Sequence, residues 1–336
     1  MKTKKILSFT LVLLLLVFIL VKTDVASGCI KDALFLCAES LVPSLFPFFV
    51  MSGLMVRLGM VSVLGKILSP FARILFKTSG KGAVAFVIGI ICGYPTGAKV
   101  IGDMYKEKSI TKSEAERLLA FCNNSGPLFI IGAIGTNMLH NHSLGVALYV
   151  IHFLSAVVTG IFLRNKGDNM KSENICDINT KNIGRAISES IESAVGAILN
   201  VCGYVLFFSL LCGIAKNVVL VSLLEVTTGA KTLITCGLSD KVLFILLSAV
   251  VGFGGVCVLF QVQSAVFGTG LSLKLYIFGK IFQAAVSSVM AFFYVNMFLA
   301  EPVFATVSQP VHMVNAVNIF FLISVVLSLV RLTKKG

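Results

Sequence analysis

"GIICGYPTGAKVIG", residues Gly89 to Gly102, stands where an apolar helix ought to run. Val84 to Ile91 lead into it as lipid-type sequence; then come Gly93, Tyr94, Pro95, Thr96, Gly97 and, two residues further, Lys99. A phosphate-binding loop needs G-x-x-x-x-G-K-[ST], whereas here the spacing is G-x-x-x-G-x-K with Val100 after the lysine, which excludes nucleotide hydrolysis. Two readings remain. Gly89, Gly93 and Gly97 recur every four residues and could let helix backbones approach closely, with Lys99 reaching to the interface. That accounts for the glycines but not for Pro95, which removes a helix hydrogen bond and clashes with the preceding turn. A lysine near the bilayer centre costs roughly 3 kcal/mol and normally faces an aqueous cavity or a partner. A discontinuous helix accounts for all of these residues: two half-helices meet near Tyr94–Thr96, and the bare N–H groups of the second, with Lys99 one turn away, offer a site to an anion.

The rest of the chain supplies the membrane. Of 336 residues, 57% are hydrophobic and only 13% charged, about half the charge of a soluble domain, and the mean hydropathy is +0.97. Apolar runs near spanning length recur: Ile6–Val21, Ala33–Val56 (interrupted by Glu39), Leu144–Leu163, Val242–Phe260 and Val311–Val330,. Lipid requires every backbone polar group to be paired within the protein, so such runs are helices or barrel strands, and they are too continuous for strands. The expected fold is an all-α polytopic membrane protein.

The net charge of +13 resides in short segments: Lys2 to Lys5, Arg57 to Lys81, Arg164 to Arg185 and Arg331 to Lys335. That is how cytoplasmic loops are anchored, and no soluble stretch is long enough to build a nucleic-acid surface. Most of the nine cysteines lie in apolar context without a C-x-x-C pair and read as small hydrophobes,. Ala26-Ser27-Gly28-Cys29 faintly resembles a lipoprotein cleavage site, but Lys22 and Asp24 interrupt the approach, so an uncleaved first helix is expected,. The four histidines show no metal spacing, and no hydrolase motif is present, so neither a cofactor nor an enzymatic activity is expected,.

Weak internal similarity divides the chain. "AESLVPSLFPFFVMSGLM" (38–55) aligns with "IESAVGAILNVCGYVLFF" (191–208), matching Glu39 to Glu192, Ser40 to Ser193 and Val42 to Val195. Later, "GIICGYPTGAK" occupies the place of "GFGGVCVLFQ". This predicts an N-terminal helix and short loop over 1–30, a first repeat over 31–164, a polar linker over 165–185 and a second repeat over 186–336. An odd number of crossings per copy makes the repeats inverted, the usual build of secondary transporters. Both charged ends ask for the same side, so at least one segment, Leu64–Phe76 or the stretch at Gly93, is expected to be re-entrant or interfacial.

The candidate site follows from the breaks. Gly93, Tyr94, Pro95, Thr96, Gly97 and Lys99 form one half, and Gly254, Gly255, Gln261 and Gln263 the other. Asn123, Asn124 and Ser125 in "CNNSGP" serve as hydrogen-bond donors, with Gly126 suited to a left-handed turn and Pro127 opening the next helix,. Glu39, Glu192 and Glu225 are candidates to titrate or coordinate a driving cation; the alternative is that they sit at helix mouths.

At "GYPTGAK" (93–99), "EAERLLAFCNNSGPLFIIGAIG" (114–135), "LLEVTTG" (223–229) and "GFGGVCVLFQVQ" (252–263) the sequence resembles the YlbJ/SpoVV-type sporulation integral membrane proteins, built on nucleoside-recognition gate domains. The resemblance implies a multi-pass protein of the mother-cell-derived outer forespore membrane, with a role in moving dipicolinic acid toward the spore. The expected partners are therefore a small anion, dipicolinate by resemblance, and the bilayer; a homo-oligomer is compatible with the sequence, and nucleic acid is not expected. A non-transporting scaffold for spore-envelope assembly and a nucleoside permease are the alternatives.

Overall fold

In the computed structural model, residues 2–164, 183–215 and 217–298 are described, and every regular element among them is helical. The expected span Val311–Val330 and nearly all of the linker lie outside the described residues. Helix α1 (Lys2–Val21) turns through 98° into α2 (Thr23–Leu36), so residues 23–30 are helix where a loop was expected. From α2 the chain continues through a π segment, Cys37–Leu41, into α3 (Val42–Arg57). Pro43 and Pro47 withhold N–H groups here, and the ladder respaces so that Val42 N–H donates to the Cys37 carbonyl,.

Helix α4 (Met60–Phe76), which contains the expected re-entrant or interfacial candidate Leu64–Phe76, meets α5 (Gly80–Cys92) at 88°. After α5 come α6 (Thr96–Lys106), α7 (Lys112–Cys122), a π-helical segment (Leu128–Met138) and α8 (His142–Phe162).

Helix α9 (Ile183–Ala215) overlaps the last three residues of the expected linker and opens the expected second repeat, followed by α10 (Val218–Leu224) and α11 (Val226–Ile234). Helices α12 (Asp240–Phe253) and α13 (Gly255–Ala265) hold the stretch aligned with the end of α5 and the start of α6, and α14 (Lys274–Phe298) follows. The matched helices 23–57 and α9 lie side by side and antiparallel. At one end Arg57 Nε meets Glu189 Oε2 at 3.2 Å; at the other Cys29 packs on Gly213. Antiparallel equivalents are what inverted repeats require. Among the described residues, four helices are long and apolar enough to cross a membrane, or up to six if each bent pair is one span.

Candidate functional site

The helix breaks at Gly93–Pro95, as the proline required: Gly93 has φ 79° and the Tyr94–Pro95 bond is cis. The helix-packing reading is also correct for its glycines. A Cβ on either Gly89 or Gly97 would run into the Cys122 carbonyl of α7. So α5 and α6 hinge at Gly93 while their flanking glycines clasp the end of α7. There the chain breaks a second time, leaving Asn123–Gly126 non-helical before Pro127 opens the π-helical segment. Gly126 is not left-handed; it is needed because a Cβ would crowd the Ile91 carbonyl at 3.1 Å. The Ser125 N–H freed by the break donates to His152 Nε2 at 3.1 Å, so a histidine expected to be inert supports this turn.

Behind the break lies a polar cluster that sequence reading passed over. Lys280 of α14, 2% exposed, donates to Asn124 Oδ1 (3.3 Å) and Gln283 Oε1 (2.9 Å), and Gln283 Nε2 donates to the same Asn124 oxygen (3.0 Å). Its signal was a lone lysine in an apolar run, "YIFGKIFQAAV",. In the second copy the break at Gly254 and Gly255, both with positive φ, packs against the Leu224–Val226 backbone. There Glu225, 2% exposed, caps α11: Oε1 accepts from Thr227 N–H at 2.9 Å, and Oε2 from Thr228 N–H at 2.6 Å and the Thr228 hydroxyl at 2.8 Å,.

Between the two copies, walled by α3 and α6 from one and α9 and α13 from the other, lies a cavity of about 320 Å3. Pro95, Thr96, Lys99 and Gln261 of the expected site line it, joined by Arg57, Asp103, Lys106 and Ser193. Lys99, Asp103 and Lys106 follow at i, i+4 and i+7 on one face of α6. The Lys99 ammonium crosses the cavity and donates to the Ser193 hydroxyl and, at 3.5 Å, to its carbonyl. These acceptors are neutral, and among the described residues Lys99 forms no ion pair. Two further polar atoms of the lining, Thr96 Oγ1 and Gln261 Oε1, are buried without a hydrogen-bond partner.

Not every expected residue reaches this cavity. Tyr94 and Ser125 face one another in a neighbouring narrow pocket, which Gly93 and Glu225 also line. Asn123 and Asn124 are fully buried behind it. Gly97 packs on α7, and Gly254 and Gly255 shape the turn beside Glu225, so α13 contributes its C-terminal half, Gln261 to Ala265, rather than its first turn. Gln263 lies outside the cavity with a buried unpaired oxygen. Glu39 and Glu192 are exposed on the outer faces of their helices and line no cavity described here. No cluster of potential metal ligands occurs among the described residues.

Fold and cavity define a polytopic helical membrane protein with broken helices, in which α3, α6, α9 and α13 enclose a chamber lined by Arg57, Lys99, Asp103 and Lys106. Residues 38–136, which hold the first two breaks, match the family model described as Gate, nucleoside recognition. The chain is similar to the sporulation integral membrane protein YlbJ of Bacillus subtilis (strain 168), 27% identical over 326 residues that cover 83% of this chain and 79% of that protein. The resemblance carried by the short motifs thus extends over most of the sequence. No solved structure matches.

Proposed function

We propose that this chain is a permease or facilitator for a small organic anion during sporulation, with dipicolinate as cargo and the outer forespore membrane as its location. The observation that carries the reading is the Lys99 ammonium, hydrogen-bonded between the repeats to Ser193 alone, with Asp103 one turn away on the same face of α6 but outside ion-pair distance. A charge retained at such cost in an apolar protein favours an anionic guest, which would supply the direct contact that Asp103 does not make. Lys106 extends the positive face of α6 along the chamber, while Arg57 is already paired with Glu189. A volume of about 320 Å3 lies at the small end of ligand sites, roughly 300–1,000 Å3, and suits a single-ring dicarboxylate. Thr96 Oγ1 and Gln261 Oε1 remain to bind its polar edge or its water.

The family description favours a second reading, a nucleoside as cargo. An uncharged nucleoside leaves Lys99 without a counterpart, which is why the anion is preferred. Purified protein in liposomes should take up labelled dipicolinate saturably, and excess nucleosides should leave that uptake unchanged. Competition by nucleosides would replace the anion with the second reading, and absence of uptake of either would leave a scaffold.

A further inference from the structure

The chamber at Lys99 is one of three cavities that follow one another along α9. It lies against Ser193 to Tyr204; a pocket of about 40 Å3 lies against Val201 and Val205; a third cavity of about 280 Å3 lies against Ser209 to Gly213. The opposite wall keeps step in reverse. Phe49 to Arg57 line the first cavity, Leu41 and Leu45 the second, and Cys29 to Leu36 the third. Neighbouring cavities share walls: Val201 and Gln261 border the first and second, Thr227 the second and third. From Ser193 to Gly213 a helix rises about 30 Å, the thickness of the hydrocarbon core.

We propose that these cavities are sections of one path through the protein, that the chambers at Lys99 and at Lys231 open to opposite faces of the membrane, and that the narrow middle section is its closed gate. What travels rests on the function proposed above; the path itself does not. The middle section is where the broken helices of both copies meet, with Gly93 and Tyr94 on one side and Glu225 to Thr227 on the other. Leu41, Leu45, Phe129, Val201, Val205 and Val258 make most of its wall, beside Tyr94, Ser125 and Gln261, and its carboxylate is committed to capping α11. A constriction that is narrow, mostly apolar and bears a carboxylate opposes an anion held at Lys99. The third cavity again offers a cation, the Lys231 ammonium, with Asp32 also in its lining; the Thr228 and Thr232 hydroxyls there already donate to Glu225 Oε2 and to the Thr228 carbonyl.

The test labels the two chambers with a charged, membrane-impermeant methanethiosulfonate in right-side-out and inside-out vesicles. Ser264→Cys reports on the first chamber, and the native Cys29, with Thr232→Cys as a second reporter, on the third. The expected result is labelling of Ser264→Cys in one vesicle orientation and of both third-chamber reporters in the other, measured over the parent protein and over Cys29→Ser. Labelling of both chambers from the same face would overturn the path. Phe129→Ala with Leu45→Ala should widen the middle section and raise passive dipicolinate leak at least tenfold in liposomes; an unchanged leak in folded protein would remove the gate. Should wild-type uptake fail while the chambers label from opposite faces, the cargo is wrong and the path stands.

Discussion

Lys280 Nζ of the unbroken α14 donates to the side-chain oxygen of Asn124, 3.3 Å away, at the break that follows α7. A continuous helix thereby props up an interrupted one. Gln283 completes the triangle, and no carboxylate lies within ion-pair distance of the lysine among the described residues. Removing the acceptor should hurt more than removing the lysine. Lys280→Met leaves the Asn124–Gln283 hydrogen bond in place, whereas Asn124→Leu strips two buried donors of the same acceptor, at about 1–3 kcal/mol for each. Thermal unfolding in detergent should rank wild type above Lys280→Met and Lys280→Met above Asn124→Leu. The reverse order would show that the lysine, not the amide, anchors the break.

Transport should separate charge from contact in the Lys99 chamber. Lys99→Ala removes the ammonium, and loss of a charge-assisted contact of about 1.5–3 kcal/mol corresponds to roughly a 10- to 100-fold loss of affinity for the anion. Ser193→Ala removes only the neutral partner and should leave the cation free to meet its guest. Dipicolinate accumulation at equal protein level is the measurement: strongly reduced for Lys99→Ala, near normal for Ser193→Ala. Normal accumulation in Lys99→Ala would take the lysine out of the site.

The break at Gly93–Pro95 was legible because Pro95, the spaced glycines and Lys99 are local signals that lipid makes expensive to ignore. Other parts of the site were not legible, for physical reasons. Arg57, Asp103 and Ser193 converge only when α3, α6 and α9 pack, and nothing in their own segments records that meeting. The face a glutamate occupies is equally hidden: Glu39 and Glu192 point outward while Glu225 turns in to cap a helix. Within "CNNSGP" the sequence showed the interruption but not its support, since His152, Lys280 and Gln283 come from 27 to 159 residues away.

Two helical glycines, Gly97 of α6 and Gly203 of α9, predict a contrast in tolerance. A Cβ at Gly97 would collide with the Cys122 carbonyl, a backbone atom that cannot rotate aside, whereas a Cβ at Gly203 meets nothing within 4 Å. Gly97→Ala should therefore destabilise by about 1–3 kcal/mol, the range for overpacking. Gly203→Ala should be neutral or slightly stabilising, since alanine is the better helix former. Detergent-solubilised melting curves for the two variants check this, and equal midpoints would mean that α7 can retreat from α6.

Arg117 lies in the "EAER" motif yet lines none of the three cavities along α9. Only 2% exposed, it directs its guanidinium to the ends of two helices. Nη1 donates to the Phe76 carbonyl and, at 3.4 Å, to that of Arg164; Nη2 donates to the Lys77 carbonyl at 2.8 Å. These carbonyls close α4 and follow α8, where helices leave acceptors unmet and welcome a cation. One turn earlier, Glu114 accepts from the Thr78 hydroxyl (2.6 Å) and from Ser79 N–H (2.8 Å), so the motif clamps both sides of the α4–α5 corner. A lysine in place of the arginine keeps the charge but cannot fork to three carbonyls. Arg117→Lys should thus loosen the corner, and Arg117→Leu should loosen it further, leaving buried carbonyls unpaired at about 1–3 kcal/mol each. Because Lys77 sits in that corner, trypsin reports the effect directly: cleavage between Lys77 and Thr78 should be slowest in wild type, faster in Arg117→Lys and fastest in Arg117→Leu. Equal cleavage rates in the three proteins would mean that the corner holds without the guanidinium.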